Sequence, residues 1–188
     1  MNKRLKTLMY TAIFAAVNYV AFTYGKINIP LAAGQSTAIH VANAVVVLSA
    51  WLLGPVWGGL AGAVGLSLAD VMDPVYIIYA PRTFFMKFMI GWIAGTIANR
   101  RKLSEKTDKK EITRICVLSS AAALLFNVVV EPLIGYLYRR FILQLDADAA
   151  AIVAAWSAGV TLLNAVICVI LATLLYLALY KPFARLYR

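Results

Sequence analysis

The chain has 188 residues, 63% of them apolar and 14% charged, and its mean hydropathy is +0.81. Soluble domains run at about 45–50% apolar and about 25% charged residues, and a globule of this length could not hide so much apolar side chain. A soluble enzyme and a disordered chain are therefore excluded, and the bilayer is the solvent that suits the sequence. The net charge of +10 sits in three clusters rather than on one basic face, which speaks against nucleic-acid binding and for membrane loops on the cytoplasmic side.

The first cluster is Lys3, Arg4 and Lys6. The apolar run Leu8–Tyr24 follows, and with no small-x-small cleavage pattern after it, it is expected to stay as a first helix rather than leave as a signal peptide. The segment Gly25–Ser36, with Lys26, Asn28, Pro30, Gly34 and Gln35, reads as an outer loop that could serve as a lid or as a plain connector. No Asp, Glu, Lys or Arg occurs between Lys26 and Asp70, a stretch of 43 residues interrupted by the turn pair Gly54-Pro55. It divides into spans Thr37–Leu53 and Val56–Met72, which puts His40 one turn into the second helix. A fourth span covers about 81–98 and ends at the central cluster of Arg100, Arg101, Lys102, Lys106, Lys109, Lys110 and Arg114, where Asn99–Glu111 is a cytoplasmic loop. A fifth covers about 112–138 and a sixth about 153–180, before Lys181, Arg185 and Arg188. The expected fold is an all-α integral membrane protein, one domain of six transmembrane helices with both termini cytoplasmic. Arg139 and Arg140 then fall outside, a mild exception offset in part by Asp146 and Asp148.

Polar groups inside a membrane are costly and normally face a bundle interior or a cavity. Asp70 and Asp73, three apart, are expected on one helix face at the outer end of the third span, with Tyr76 and Tyr79 in the loop beyond. Arg82 and Lys87 fall in the outer half of the fourth span. Asn127 and Glu131 lie four apart on the fifth, Glu131 about 26 Å along the helix from Arg114. Ser157, Thr161 and Asn164 make one stripe on the sixth. These groups converge at one depth. Either they pair among themselves, Asp70 with Arg82 and Glu131 with Lys87, or they line a pocket for a small hydrophilic ligand, with Trp156, Tyr76 and Tyr79 as apolar walls. The lone His40 and the buried-type Cys116 and Cys168 make no metal or disulfide set, and no cofactor is called for. Small residues at four-residue spacing, Ala12/Ala16, Gly54/Gly58/Gly62 and Gly91/Gly95, mark close helix approaches, and Ala12/Ala16 could instead face a partner.

Three features resemble the substrate-binding S component of an energy-coupling factor (ECF) vitamin transporter. They are the Ala12–Ala16 face, the block from Leu53-Gly54-Pro55 through Gly62 to Asp70, and YAPRTFFMKFMIGWIAG, residues 79–95, which is similar to the fourth-helix signature of the riboflavin-type branch. The resemblance implies a high-affinity vitamin binder in a bacterial cell membrane, its pocket near the outer face and closed by the loop between the first two helices. Ala12 and Ala16 would dock on a membrane coupling subunit that carries two ATPases; no G-x-x-x-x-G-K-[ST] loop occurs in this chain itself. Among relatives it looks closest to hydroxymethylpyrimidine/pyridoxine-type members, with riboflavin next. On that reading Gln35, His40, Asp70, Tyr76, Tyr79, Arg82, Lys87, Asn127, Glu131, Trp156 and Asn164 are the candidate binding residues. The alternative is a stand-alone ion- or proton-coupled carrier using Asp70 or Glu131, against which stands the lack of an internal repeat. No nucleophile pair or metal motif supports an enzyme.

Overall fold

The computed structural model describes residues 2–31 and 35–187, with side chains through Phe183. Gly34 and Arg188, named above, lie outside the described residues, as does the side chain of Arg185. Among the described residues there are six α-helices: α1 (Lys3–Tyr24), α2 (Ala42–Leu53), α3 (Pro55–Val71), α4 (Ala80–Arg100), α5 (Lys109–Leu137) and α6 (Ala147–Tyr187). Between α1 and α2 the chain forms an antiparallel hairpin, β1 (Lys26–Pro30) and β2 (Ser36–His40), in the register Lys26↔His40 through Pro30↔Ser36.

The segment read as one span, Thr37–Leu53, is therefore strand first and helix second. His40 ends β2 instead of sitting in a helix. The length works out because a strand advances more than twice as far per residue as a helix: five strand residues cover about 16 Å and the twelve of α2 about 18 Å. Every residue of α2 except Leu52 is buried, as expected of a helix apolar on all sides and enclosed by its neighbours. Three helical segments, Lys3–Tyr24, Lys109–Ile142 and Ala147–Phe183, are long and apolar enough to cross a membrane, while α2 and α3 are apolar but shorter. Large apolar side chains stand exposed on the outside of the bundle, among them Val17, Phe85, Leu125, Val129 and Ile170, as lipid contact requires.

Local chemistry sets the helix ends. Asn2 Oδ1 accepts from the Arg4 N–H and caps α1, and Asp108 accepts from the N–H groups of Lys110 and Glu111 to cap α5. Gly54 turns α2 into α3 at φ +89°, a conformation that costs a residue with a side chain, and Pro55 opens α3. Glycine also sets the helix spacing. A Cβ at Gly58 would lie 2.2 Å from the Ala50 Cα, and one at Gly91 2.5 Å from the Gly59 Cα, so α2, α3 and α4 touch backbone to backbone.

The two ends of the bundle differ. At the end where α2 turns into α3 and α4 gives way to α5, the core is apolar: Val47, Trp51, Ile112, Ile115, Cys116, Ala172 and Tyr176 pack together. Trp51 Nε1 donates to Ser119 Oγ at 3.0 Å, and its ring meets Tyr176 edge-on at 5.5 Å. Tyr10 and Phe14 near the start of α1 meet Phe183 near the end of α6, so the start of α1 and the end of α6 lie at this apolar end together with the basic 99–111 segment. The hairpin and most of the buried polar side chains lie at the other end.

Candidate functional site

Under the hairpin is a cavity of about 90 Å³. It is reached by the first parts of α2, α4 and α6 and by the far ends of α1, α3 and α5, so all six helices contribute side chains, and α2 to α6 contribute polar ones.

The cover is fastened on two sides. From the α3–α4 connection, Asp73 pairs with Lys26 Nζ at 2.5 Å, and Tyr76 Oη donates to Asn28 Oδ1 at 3.1 Å and accepts from Ser36 Oγ at 3.2 Å. Tyr79 Oη donates to Gln35 Oε1. The Lys26 ammonium also stands 4.5 Å from the Tyr76 ring centre and 4.7 Å from that of Phe22. Partial burial pushes the Asp73 carboxyl up, but the Lys26 ammonium and the N–H groups of Val75 and Tyr76 outweigh it and hold the group below its ordinary value. Burial raises the Tyr76 phenol, which stays protonated and able to donate. From α6, Asn164 Oδ1 accepts the His40 N–H at 3.1 Å and its Nδ2 donates to the Ala38 carbonyl at 2.9 Å. Asn164 thus ties down the free edge of β2, as a further strand would.

The floor and one wall are charged. Lys87, buried on α4, donates to Asn43 Oδ1 at 2.8 Å. Asp70, buried near the end of α3, is hydrogen-bonded to Thr83. Arg82 Nη2 lies 3.3 Å from Glu131 Oε1, and Thr161 Oγ donates to Glu131 Oε2 at 3.4 Å. Beyond α5 the chain widens into a π turn, Tyr138–Ile142, closed by the Leu143 N–H on the Tyr138 carbonyl at 3.1 Å. This turn separates two adjacent arginines: Arg140 points outward and donates to the Leu145 carbonyl, while Arg139 is only 2% exposed and lines the cavity. The Arg82 and Arg139 guanidinium groups both face the Tyr79 ring, at 4.9 and 5.7 Å.

Nine of the candidate binding residues line this cavity: His40, Asp70, Tyr76, Tyr79, Arg82, Lys87, Asn127, Glu131 and Asn164. Gln35 is at the rim, holding Tyr79. Trp156 does not line this cavity. It is 60% exposed and lies with Ile29 and Ile39 along an outer apolar groove, because its position on α6 faces away from the stripe of Ser157, Thr161 and Asn164. Asp73 does not share the face of Asp70, since α3 ends at Val71 and the turn carries Asp73 out to Lys26. The ion pair differs too: Arg82 takes Glu131, and Lys87 takes a neutral amide. The sequence reading missed Asn43 and Arg139. Asn43 is the one amide in α2, a polar group amid uniform apolar neighbours, and that was its signal. Arg139 looked like half of a loop doublet, and nothing in the sequence marks the π turn that directs it inward.

A helical membrane bundle with a polar, covered cavity at one end is the architecture of a solute-binding membrane subunit. The family model for the ECF-type riboflavin transporter S component matches residues 2–181, and the chain belongs to that family, a family of membrane transporter components. No curated protein matches in sequence. Among solved structures, the S component for biotin from an ECF-type ABC transporter shares the fold with a TM-score of 0.60, at 19% identity over 93% of this chain and 92% of that one.

Proposed function

We propose that this chain captures a small water-soluble vitamin or vitamin precursor at the outer face of a bacterial cell membrane and delivers it to an ATP-driven importer. The observation that carries the reading is the cavity itself: polar groups from five helices gathered under a hairpin that is fastened at several points by side-chain hydrogen bonds. A solute enters with the hairpin raised, and closure of the hairpin excludes water and strengthens each polar contact made beneath it.

In this reading all six helices form one membrane domain, the apolar end with its basic segments faces the cytoplasm, and the cavity faces outward. A single-ring solute of the hydroxymethylpyrimidine/pyridoxine class is favoured and a fused tricyclic flavin stands second; the closed cavity of about 90 Å³ is smaller than the roughly 150 Å³ that holds a benzene ring, so either enters only as the hairpin lifts. Phe22, Tyr76 and Tyr79 offer aromatic surface to such a ring, and Asn127, whose Oδ1 is buried and unpartnered, offers an acceptor. Ala12 and Ala16 stand on the exposed face of α1, opposite Asn18 and Phe22, which turn inward. That outward small-residue face is suited to close packing against the coupling subunit, and through it two ATPases.

A thermal-shift panel on the detergent-purified chain tests the reading. It covers pyridoxine, pyridoxal, pyridoxamine, hydroxymethylpyrimidine, thiamine, riboflavin, biotin, folate and pantothenate. A ligand at about 1,000 times its Kd stabilises the folded state by about 4 kcal/mol. One strong responder is the expected result; a flat panel counts against a vitamin binder.

A further inference from the structure

The cavity holds more positive charge than its own carboxylates neutralise. Arg82, Lys87 and Arg139 line it against Asp70 and Glu131, and the remaining nearby pair, Lys26 with Asp73, is self-contained at the rim. Glu131 is engaged by Arg82 and Thr161. Arg139 has no carboxylate partner among the described residues, and its Nε and Nη1 are buried without a hydrogen-bond acceptor, as is Arg82 Nη1. The two guanidinium groups also converge on one carboxylate: a Cβ at Gly135 would lie 2.8 Å from an Nη1 of each and 3.7 Å from Glu131 Oε1. Two guanidinium groups sharing one carboxylate away from water, with donors left open, are unfavourable unless a second anion joins them.

The geometry points to an anionic group on the ligand, a carboxylate or a phosphomonoester, seated between Arg82 and Arg139 with its ring against Tyr79. This rests on the solute-binding reading above and narrows it to charged solutes. The planar fork of a guanidinium presents paired donors matched to the two oxygens of a carboxylate or phosphate, which explains why arginine and not lysine stands at this wall. Lys87, its ammonium committed to Asn43 on the floor, supplies longer-range attraction.

The test uses the full chain in detergent at constant ionic strength and two matched pairs, nicotinamide with nicotinate and pyridoxine with pyridoxine 5′-phosphate, together with inorganic phosphate and acetate. The charged member of one pair is expected to bind at least about tenfold more tightly than its neutral partner, and the responding pair tells carboxylate from phosphate. Arg139→Gln should remove that preference, by about 10- to 100-fold, while Arg139→Lys retains part of it. Because Arg139 is a buried cation with no carboxylate of its own and two open donors, Arg139→Gln should also leave the ligand-free melting temperature unchanged or raise it. A fall in that temperature with the anion preference intact would assign Arg139 a packing role and overturn the proposal. Neutral members binding as tightly as charged ones would overturn it and leave the solute-binding reading standing. No response in any arm, phosphate and acetate included, also overturns it, and the vitamin panel then decides separately whether the binding reading falls with it.

Discussion

The two ends of the bundle obey opposite rules. Around Trp51 and Tyr176 every level of the structure agrees: apolar residues are buried, glycines sit where backbones touch, and the indole N–H has its acceptor. Around Arg139 and Asn127 the rules are broken, with buried charge in excess and donors and acceptors left open. Such departures persist only where the rest of the fold supplies the stability, and they concentrate where function needs them. The apolar end therefore holds the frame, and in the proposed function the polar end is the part that a solute completes.

The comparison is broken most severely at Trp51. Trp51→Ala is expected to cost about 3–5 kcal/mol of stability, while any folded fraction binds solute with a Kd within about threefold of wild type; denaturation and binding curves on one preparation check both. Asn127→Ala is the converse change. It should weaken ligand binding about tenfold and alter stability by less than about 1 kcal/mol, read by titration calorimetry with the panel's responder.

Smaller effects are expected at the hairpin. Asp73→Asn removes the Lys26 pairing, and ligand dissociation should quicken a few-fold in stopped-flow measurements. The same contact sets a pH response. The Asp73 carboxyl is depressed in the folded chain, so its contribution is complete above its ordinary value of 3.8 and is lost as pH falls through the lower folded value. Dissociation attributable to this latch should be level between about pH 5 and 8 and rise only below about pH 4. The smallest change in the isolated chain belongs to Ala16→Trp, on the outer face of α1. Binding should be unaffected while co-purification with the coupling subunit and ATP-driven uptake are lost; normal uptake would remove that face from docking.

The apolar end was largely legible in the sequence. The Gly54-Pro55 turn, the glycine spacings and the charge-free runs follow from helix geometry and from the cost of polar groups in lipid, and each has a local signature. The depth at which polar residues gather was also legible, because rise per residue converts sequence position into height. Direction around the axis was harder. Trp156 and Ser157 are neighbours at one height, yet one faces outward and the other lines the cavity. The hairpin was missed as strand because an apolar run between 37 and 53 was measured with a helical rise, whereas Asn164 and Tyr76, far away in sequence, supply the hydrogen bonds that hold it extended. Arg139 depends on a single widened turn, a feature of the backbone without a residue signature.

The most direct measurement sets wild type and Asn127→Ala side by side in the vitamin thermal-shift panel. The account predicts that one compound raises the wild-type melting temperature by on the order of 10 °C and shifts the variant markedly less, with both proteins melting at similar temperatures when free of ligand. Equal shifts in the two proteins, or no shift in either, would contradict the claim that the polar end is a solute site.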